Sequence, residues 1–147
     1  AWPNQACYAA SKSALETFSW ALAHEVRRFG VRVATVQPGA IRTEILENSA
    51  ERNHFDRASP YLDVMRRNGK LIAAGFRSGA TPQDVADAVL AALDPSDRHV
   101  QHPVGDDAVA IYDRRHDVSL DEFVALGAEA SDDEYREWFA VNFGIEL

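Results

Sequence analysis

The stretch Tyr8-Ala9-Ala10-Ser11-Lys12-Ser13-Ala14-Leu15-Glu16 opens a helical pattern that runs to Phe29-Gly30 and then gives way to Val31-Arg32-Val33-Ala34-Thr35-Val36-Gln37. Leu15, Phe18, Leu22, Val26 and Phe29 recur at three- and four-residue steps and make one apolar stripe. Ala10, Ala14 and Ala21 make a second face of small residues. Such a helix suits close packing, with a sheet on one side and another helix on the other. Gly30 is the stop, and Arg27 and Arg28 sit in the last turn, where cations favour the helix dipole. The segment 31–37 carries valine or alanine at most positions, which predicts a largely buried strand of a parallel sheet. A helix followed by a buried strand is half of a βαβ unit, and ligands bind at the carboxyl ends of such strands. Pro38-Gly39 falls at that end.

Tyr8 and Lys12 are four residues apart, so on a helix they share a face. A phenol titrates near pH 10, and an ammonium one turn away favours the phenolate. Bringing a phenol to near neutrality takes about 4 kcal/mol, more than one surface lysine supplies, so a second cation or a cofactor charge would assist. The product is a tyrosine able to give or take a proton at an oxygen being reduced or oxidised.

The order of parts, YAASKSALE, a helix ending near FGVRV, a buried strand and then Pro38-Gly39-Ala40-Ile41-Arg42-Thr43, resembles the short-chain dehydrogenase/reductase family. The resemblance implies an α/β fold, the C-terminal half of a Rossmann-type doubly wound parallel sheet, with the N-terminal half absent from this chain. It implies a catalytic pair, Tyr8 and Lys12, and a cofactor set of Tyr8, Lys12, Pro38, Gly39, Ile41 and Thr43. Tyr8 would be the acid in reduction and the base in oxidation, and Lys12 would also bond the nicotinamide ribose. The backbone around Ile41 would bond the nicotinamide carboxamide, and the Thr43 hydroxyl would assist there or at a phosphate. Gly39 would let the backbone approach the cofactor closely. The cofactor implied is NAD or NADP, with NADP the favoured of the two. The late run Arg98-His99-Val100…Gly105-Asp106-Asp107-Ala108 resembles retinol and hydroxysteroid dehydrogenases and suggests a hydrophobic alcohol or carbonyl substrate. The helix 6–29 lines a dimer interface in that family, so a homodimer or homotetramer is expected.

The 147 residues suffice for one domain with a sizeable core. Hydrophobic residues at 46% and charged residues at 26% are ordinary for a globular protein. A net charge of −8 without a Lys/Arg run argues against a nucleic-acid surface. No apolar run approaches the roughly 20 residues of a membrane span. The single Cys7 excludes an internal disulfide framework and fits a reducing, cytoplasmic setting. The chain starts at Ala1 and its only methionine is Met65, so the expectation is a chain lacking its front half. None of its eight glycines forms the glycine-rich dinucleotide turn, and the family's substrate-polarising serine, about a dozen residues before the tyrosine, would lie upstream of Ala1. The chain alone is therefore expected to bind NAD(P) poorly and not to turn over.

The expected parts are residues 6–37 as catalytic helix and strand, 38–80 as cofactor loop and substrate lid, 81–105 as helix and last strand, and 106–147 as C-terminal helices. Within the lid, Glu44 to Arg52 suits a short helix, and Ser59-Pro60 opens another running to about Ile72, with Tyr61, Val64 and Met65 as apolar contacts. Arg42, Arg52, Arg57, Arg66, Arg67 and Arg77 suit a solvated face, or an anionic substrate. Thr81-Pro82-Gln83-Asp84 is a capped helix start whose buried face would be Val85, Ala88, Val89, Ala92 and Leu93. Residues 98–105 read as the last strand, at an edge because of Pro103. His99 and His102, three apart in a strand, would point to opposite faces, and no metal site is expected. Ala108 to Arg115 suits a helix, Ser119 caps another, and Asp132-Asp133-Glu134 opens a last one whose Tyr135, Trp138 and Phe139 would pack onto the body or a partner. Two other readings of the chain are a nucleotide-sugar epimerase or dehydratase, which shares the tyrosine–lysine spacing, and a non-catalytic truncated paralogue acting as a dimerisation module.

Overall fold

The computed structural model describes residues 3–45, 48, 56–77, 79–127 and 130–147. The first helix, α1, spans Ala6–Val26 and tightens into a 3₁₀ turn over Arg27–Phe29. Gly30 ends it at φ 75°, where its N–H returns to the Arg27 carbonyl at 3.0 Å. A residue with a Cβ resists that left-handed conformation, which is why the glycine stops the helix.

Strand β1 (Thr35–Pro38) and strand β2 (Gln101–Val104) pair in parallel, Thr35 opposite Gln101 and Pro38 opposite Val104. The parallel sheet expected from the valine-rich run is present, but both strands are shorter than the sequence predicts. The ladder begins where the Thr35 N–H reaches the Val100 carbonyl at 2.7 Å. Ahead of that point Asp94 and Asp97 fold the chain into side-chain-capped turns, with Ser96 N–H on Asp94 and His99 N–H on Asp97. Residues 31–34 therefore have no strand opposite them. Arg32 ties this segment down instead, donating to the carbonyls of Asp97 at 2.9 Å and Leu93 at 3.0 Å.

Between the strands lie α2 (Leu62–Arg77) and α3 (Pro82–Leu93). The predicted stop of α2 near Ile72 is overrun, because Asn68, Leu71, Ala74 and Gly75 are its buried positions and they continue past it. Of the expected contacts, Val64 and Met65 are half-buried and Tyr61 is exposed. Thr81 caps α3 through a full capping box with Asp84, with Pro82 inside the first turn. The α3 helix packs on both strands, using Val85, Ala88 and Ala92, while Val89 and Leu93 face outward. The expected short helix at 44–52 lies largely outside the described residues.

After β2 come α4 (Asp106–Arg114), α5 (Leu120–Ala125) and α6 (Asp132–Phe143). Ser119 and Ser131 cap the last two, and Ser131 shares a capping box with Glu134. The core sits here: Leu71 from α2 closes with Tyr135, Phe139 and Phe143 from α6, and Ile111, Phe123, Leu126 and Trp138 pack around them. Phe139 is fully buried. The expectation that the tail aromatics pack onto the body is met. The apolar stripe of α1 behaves otherwise, since Leu15, Phe18 and Phe29 are all more than half exposed and the one buried residue of the helix is Ser19. A sheet of two short strands is too small a surface to cover a helix of six turns. No helix among the described residues is long and apolar enough to cross a membrane.

Candidate functional site

The chain enters α1 through Asn4, which takes a left-handed φ of 61°, and Gln5, which offers no side-chain cap. The first turn is held by Ala9 N–H on the Gln5 carbonyl at 2.7 Å, and Ser11 returns its hydroxyl to the Tyr8 carbonyl at 2.7 Å. Tyr8 and Lys12 are both exposed on this turn, and the Lys12 Nζ lies 5.3 Å from the centre of the Tyr8 ring. The ammonium thus rests over the ring face, a cation–π contact. Beside them is an open depression of about 540 Å³ lined by Asn4, Gln5, Ala6, Cys7 and Tyr8.

One turn after Lys12, Glu16 binds the helix to the sheet. Its Oε1 accepts from Gln37 Nε2 at 2.7 Å, on β1, and from Gln101 Nε2 at 2.5 Å, on β2. Tyr112 of α4 donates to Gln101 Oε1 at 3.1 Å, and Arg115 Nη1 stands 3.7 Å from Glu16. Tyr8, Lys12 and Glu16 succeed one another at four-residue steps, so the third member fixes the rotation of the helix that carries the other two. Sequence reading missed Glu16. Its signal was the spacing: a carboxylate two turns beyond the tyrosine, with a glutamine in each strand.

At the carboxyl end of β1 the loop Pro38–Thr43 is anchored at successive N–H groups. Gly39 donates to the Val104 carbonyl at 2.9 Å, Ala40 to Asp107 Oδ2 at 2.8 Å and Arg42 to the Ala80 carbonyl at 3.0 Å. The Ile41 N–H lies between the last two, and none of these bonds uses it. Ile41 itself bridges to Ala80 in parallel fashion. Pro38 and Thr43 are exposed, and among the described residues the Thr43 hydroxyl accepts a long 3.4 Å bond from Ile45 N–H. The six sequence-predicted cofactor residues therefore fall into two groups, one at the start of α1 and one on this loop, linked through Glu16 and Gln37.

The basic residues of α2 have an internal partner. Arg67 Nε donates to Asp132 Oδ1 at 2.9 Å, and Arg66 and Lys70 reach Asp132 Oδ2 at 3.0 and 3.3 Å. Arg67 also donates to the carbonyls of Ala130 and Leu126, and Arg77 to that of Glu146. Arg66 and Arg77 are exposed, as the solvated-face reading expects, while Arg67 is half-buried and departs from it, and all three have partners within the chain. These cations latch the C-terminal helices to α2. Arg67 and Lys70 hold the Asp132 carboxyl down at about 2. Arg52 lies outside the described residues.

The two histidines also depart from expectation. His99 precedes β2, in the Asp97 turn, so strand alternation does not govern it. Its Nδ1 lies 2.8 Å from Asp97 Oδ1, while His102 Nε2 lies 2.6 Å from Asp97 Oδ2. The His102 contact and the bonds from His99 hold the Asp97 carboxyl well below the usual carboxylate range. Among the described residues no group of three or more His, Cys, Asp or Glu is arranged to hold a metal ion.

The family model for short chain dehydrogenases matches residues 1–54, which include Tyr8, Lys12 and the Pro38–Thr43 loop. A 3-ketodihydrosphingosine reductase of Bacteroides thetaiotaomicron is 36% identical over 87 residues, which are 59% of this chain and 32% of that protein. The oxidoreductase BOA17 of Botryotinia fuckeliana is 28% identical over 139 residues, 92% of this chain and 46% of its own. A dehydrogenase/reductase SDR family protein 7-like of Anopheles gambiae is 31% identical over 98 residues, 67% of this chain and 27% of its own. The matches thus span less than half the length of these curated relatives. No solved structure matches the chain. With the tyrosine–lysine turn, the parallel strand and the loop that follows it all inside the matched region, residues 1–54 of the chain are similar to the short-chain dehydrogenase/reductase family.

Proposed function

We propose that the whole protein is an NAD(P)-dependent oxidoreductase that interconverts an alcohol and a carbonyl, with Tyr8 and Lys12 as its acid/base pair. The observation that carries this reading is the joining of the two groups. The exposed Tyr8–Lys12 turn and the loop at the carboxyl end of β1 are held to one frame by the Glu16–Gln37 bond of 2.7 Å. In this reading residues 6–37 are the catalytic helix and strand, 38–80 the cofactor loop and lid, and 81–147 the closing helices and last strand.

The loop suits a nicotinamide carboxamide. Its Gly39, Ala40 and Arg42 N–H groups are engaged, which fixes the backbone, and no bond among the described residues engages the Ile41 N–H between them, a ready donor. The nicotinamide, NAD or NADP, supplies or accepts the hydride. Tyr8 gives its phenolic proton to the carbonyl oxygen in reduction and takes it back from the alcohol in oxidation. Lys12 stabilises the phenolate and bonds a ribose hydroxyl. Thr43 adds a hydroxyl at the amide or at a phosphate, and Pro38-Gly39 shape the rim. The name of the Bacteroides relative, a 3-ketodihydrosphingosine reductase, favours a hydrophobic ketone as the first substrate class to test.

Tyr8→Phe in the whole protein removes turnover and leaves cofactor affinity within about threefold. Retained turnover would sink the assignment.

A second reading has an observation of its own. Leu15 and Phe18 on α1 and Phe29 in the 3₁₀ turn that ends it are exposed apolar residues, of the kind a second copy can cover. A homodimer through helix 6–29, with or without catalysis, follows from that exposure. Sedimentation of the whole protein tests it, and a Phe18→Glu variant still dimeric at micromolar concentration overturns it.

A further inference from the structure

We infer that Asp107 is a positioning residue for the loop Pro38–Ile41, and that Gly39 is a glycine in order to admit its carboxylate. The inference rests on the reading of that loop as the cofactor's rim.

Asp107 is the second residue of α4, at the end of the helix where negative charge is favoured. Its Oδ2 accepts the Ala40 N–H at 2.8 Å. Glycines from three separate segments close around the two oxygens. A Cβ built on Gly39 would lie 2.1 Å from Oδ1, and one on Gly105 2.9 Å from Oδ1. One on Gly75 would lie 3.0 Å from Oδ2 and 2.7 Å from the Ala40 Cβ. Separations below about 3 Å do not occur between real Cβ atoms and their neighbours, so Gly39 and Gly105 exclude a side chain while the carboxylate stays, and Gly75 excludes one against the Ala40 Cβ. The end of β1, the buried face of α2 and the β2–α4 junction thus meet on one side chain. Gly75 is itself buried.

The consequence for the loop is geometric. Gly39 N–H is set by β2, Ala40 N–H by Asp107 and Arg42 N–H by Ala80. Without the carboxylate the middle anchor is lost, and with it the aim of the Ile41 N–H, which no bond among the described residues engages. The room at Gly39 is already filled by Asp107, so the glycine does not require a cofactor to explain it. Asp107 Oδ1 is buried with no hydrogen-bond partner among the described residues. An acceptor held that way is destabilising, a cost that packing alone would remove by placing an apolar residue there.

The test is titration of the whole protein with NADH and with NADPH, read by nucleotide fluorescence. Asp107→Ala raises the Kd of the bound nucleotide tenfold or more, and the loss falls on the nucleotide's KM more than on kcat at saturation. A rise below threefold overturns the inference. Gly39→Ala alone also weakens binding tenfold or more. Added to Asp107→Ala it costs less than a further threefold, because the collision is gone, and the two changes fail to add. If Gly39→Ala costs threefold or more in the absence of the carboxylate, the cofactor and not Asp107 needs the space, and the inference falls. Should Asp107→Ala not fold, Asp107→Asn serves. It keeps one acceptor for Ala40 and sets an amide against Gly39 and Gly105, and a Kd rise of threefold or more supports the role while a smaller one overturns it. Failure of the tyrosine–lysine reading appears elsewhere, as turnover by Tyr8→Phe with nucleotide binding untouched.

Discussion

Arg67 donates its Nε to Asp132 Oδ1 at 2.9 Å across 65 positions of sequence, joining the middle of α2 to the first turn of α6. Arg66 and Lys70 crowd the other oxygen, and the Arg67 guanidinium also lies over the Tyr135 ring. Asp133, the next residue, is 86% exposed at its side chain and pairs only with Arg136 one turn along its own helix. Asp132→Asn places an amide N–H₂ against Lys70 and Arg66. It lowers the urea midpoint clearly, while Asp133→Asn leaves it nearly unchanged. Equal effects of the two would mean that the latch contributes nothing.

The same carboxylate sets an acid limit. Its pKa falls from an ordinary 3.8 to about 2 on folding, chiefly through the hydrogen bonds from Arg67 and Lys70. A depressed folded pKa means the contribution is whole above pH about 4–5 and is lost as pH falls from 3.8 towards 2. Asp97, held low by His102 and His99, adds to the same limb. Stability measured between pH 5 and pH 2 therefore drops more steeply in the native chain than in Asp132→Asn. Added salt flattens the difference, since Asp132 is about a third exposed at 31% and its pairs are screened. Parallel acid curves for the two proteins would refute this.

What the sequence made legible was local. The Gly30 stop, the Thr81 and Ser119 caps and the two parallel strands each depend on residues within a turn or a short run. What it hid was long-range. Glu16 meets Gln101 across 85 positions, and Asp107 meets Ala40 across 67. No periodicity encodes which carboxylate a distant amide will find. The histidine prediction failed because His99 sits in a capped turn and not in the strand, so a period of two was applied one element too early. The pairing of Arg66 and Arg67 was hidden because the acid they share, Asp132, lies on another helix.

The core makes its own prediction. Phe139 is fully buried and contacts Tyr135, Trp138 and Phe143 with ring centres 4.9, 5.2 and 5.9 Å away. Phe139→Ala costs about 3–5 kcal/mol, a large share of the roughly 5–15 kcal/mol that holds a domain of ordinary stability. Val141 on the same helix is 69% exposed, and Val141→Ala changes stability by less than about 0.5 kcal/mol. Urea unfolding of both variants checks the contrast, which fails if Phe139→Ala loses under about 1 kcal/mol.

Glu16 carries the last prediction because it links the fold to the chemistry. Two amide donors, Gln37 Nε2 and Gln101 Nε2, share its Oε1. Glu16→Ala strands both and costs about 1–3 kcal/mol, while Glu16→Gln keeps an acceptor and costs less. The loss is local. Amide hydrogen exchange speeds up along α1 and β1 and stays unchanged in α6, whose contacts lie in the aromatic core. In the whole protein the same substitution lowers kcat more than Gln101→Ala does. Gln101→Ala breaks one of the two bonds and leaves Gln37, on the strand that bears the cofactor loop, still in place. Were Glu16→Ala to slow turnover no more than Gln101→Ala, the rotation of α1 would not be what aims Tyr8 and Lys12, and the frame joining them to the loop would have to be sought upstream of Glu16, in the first turn at Gln5 and Ala9.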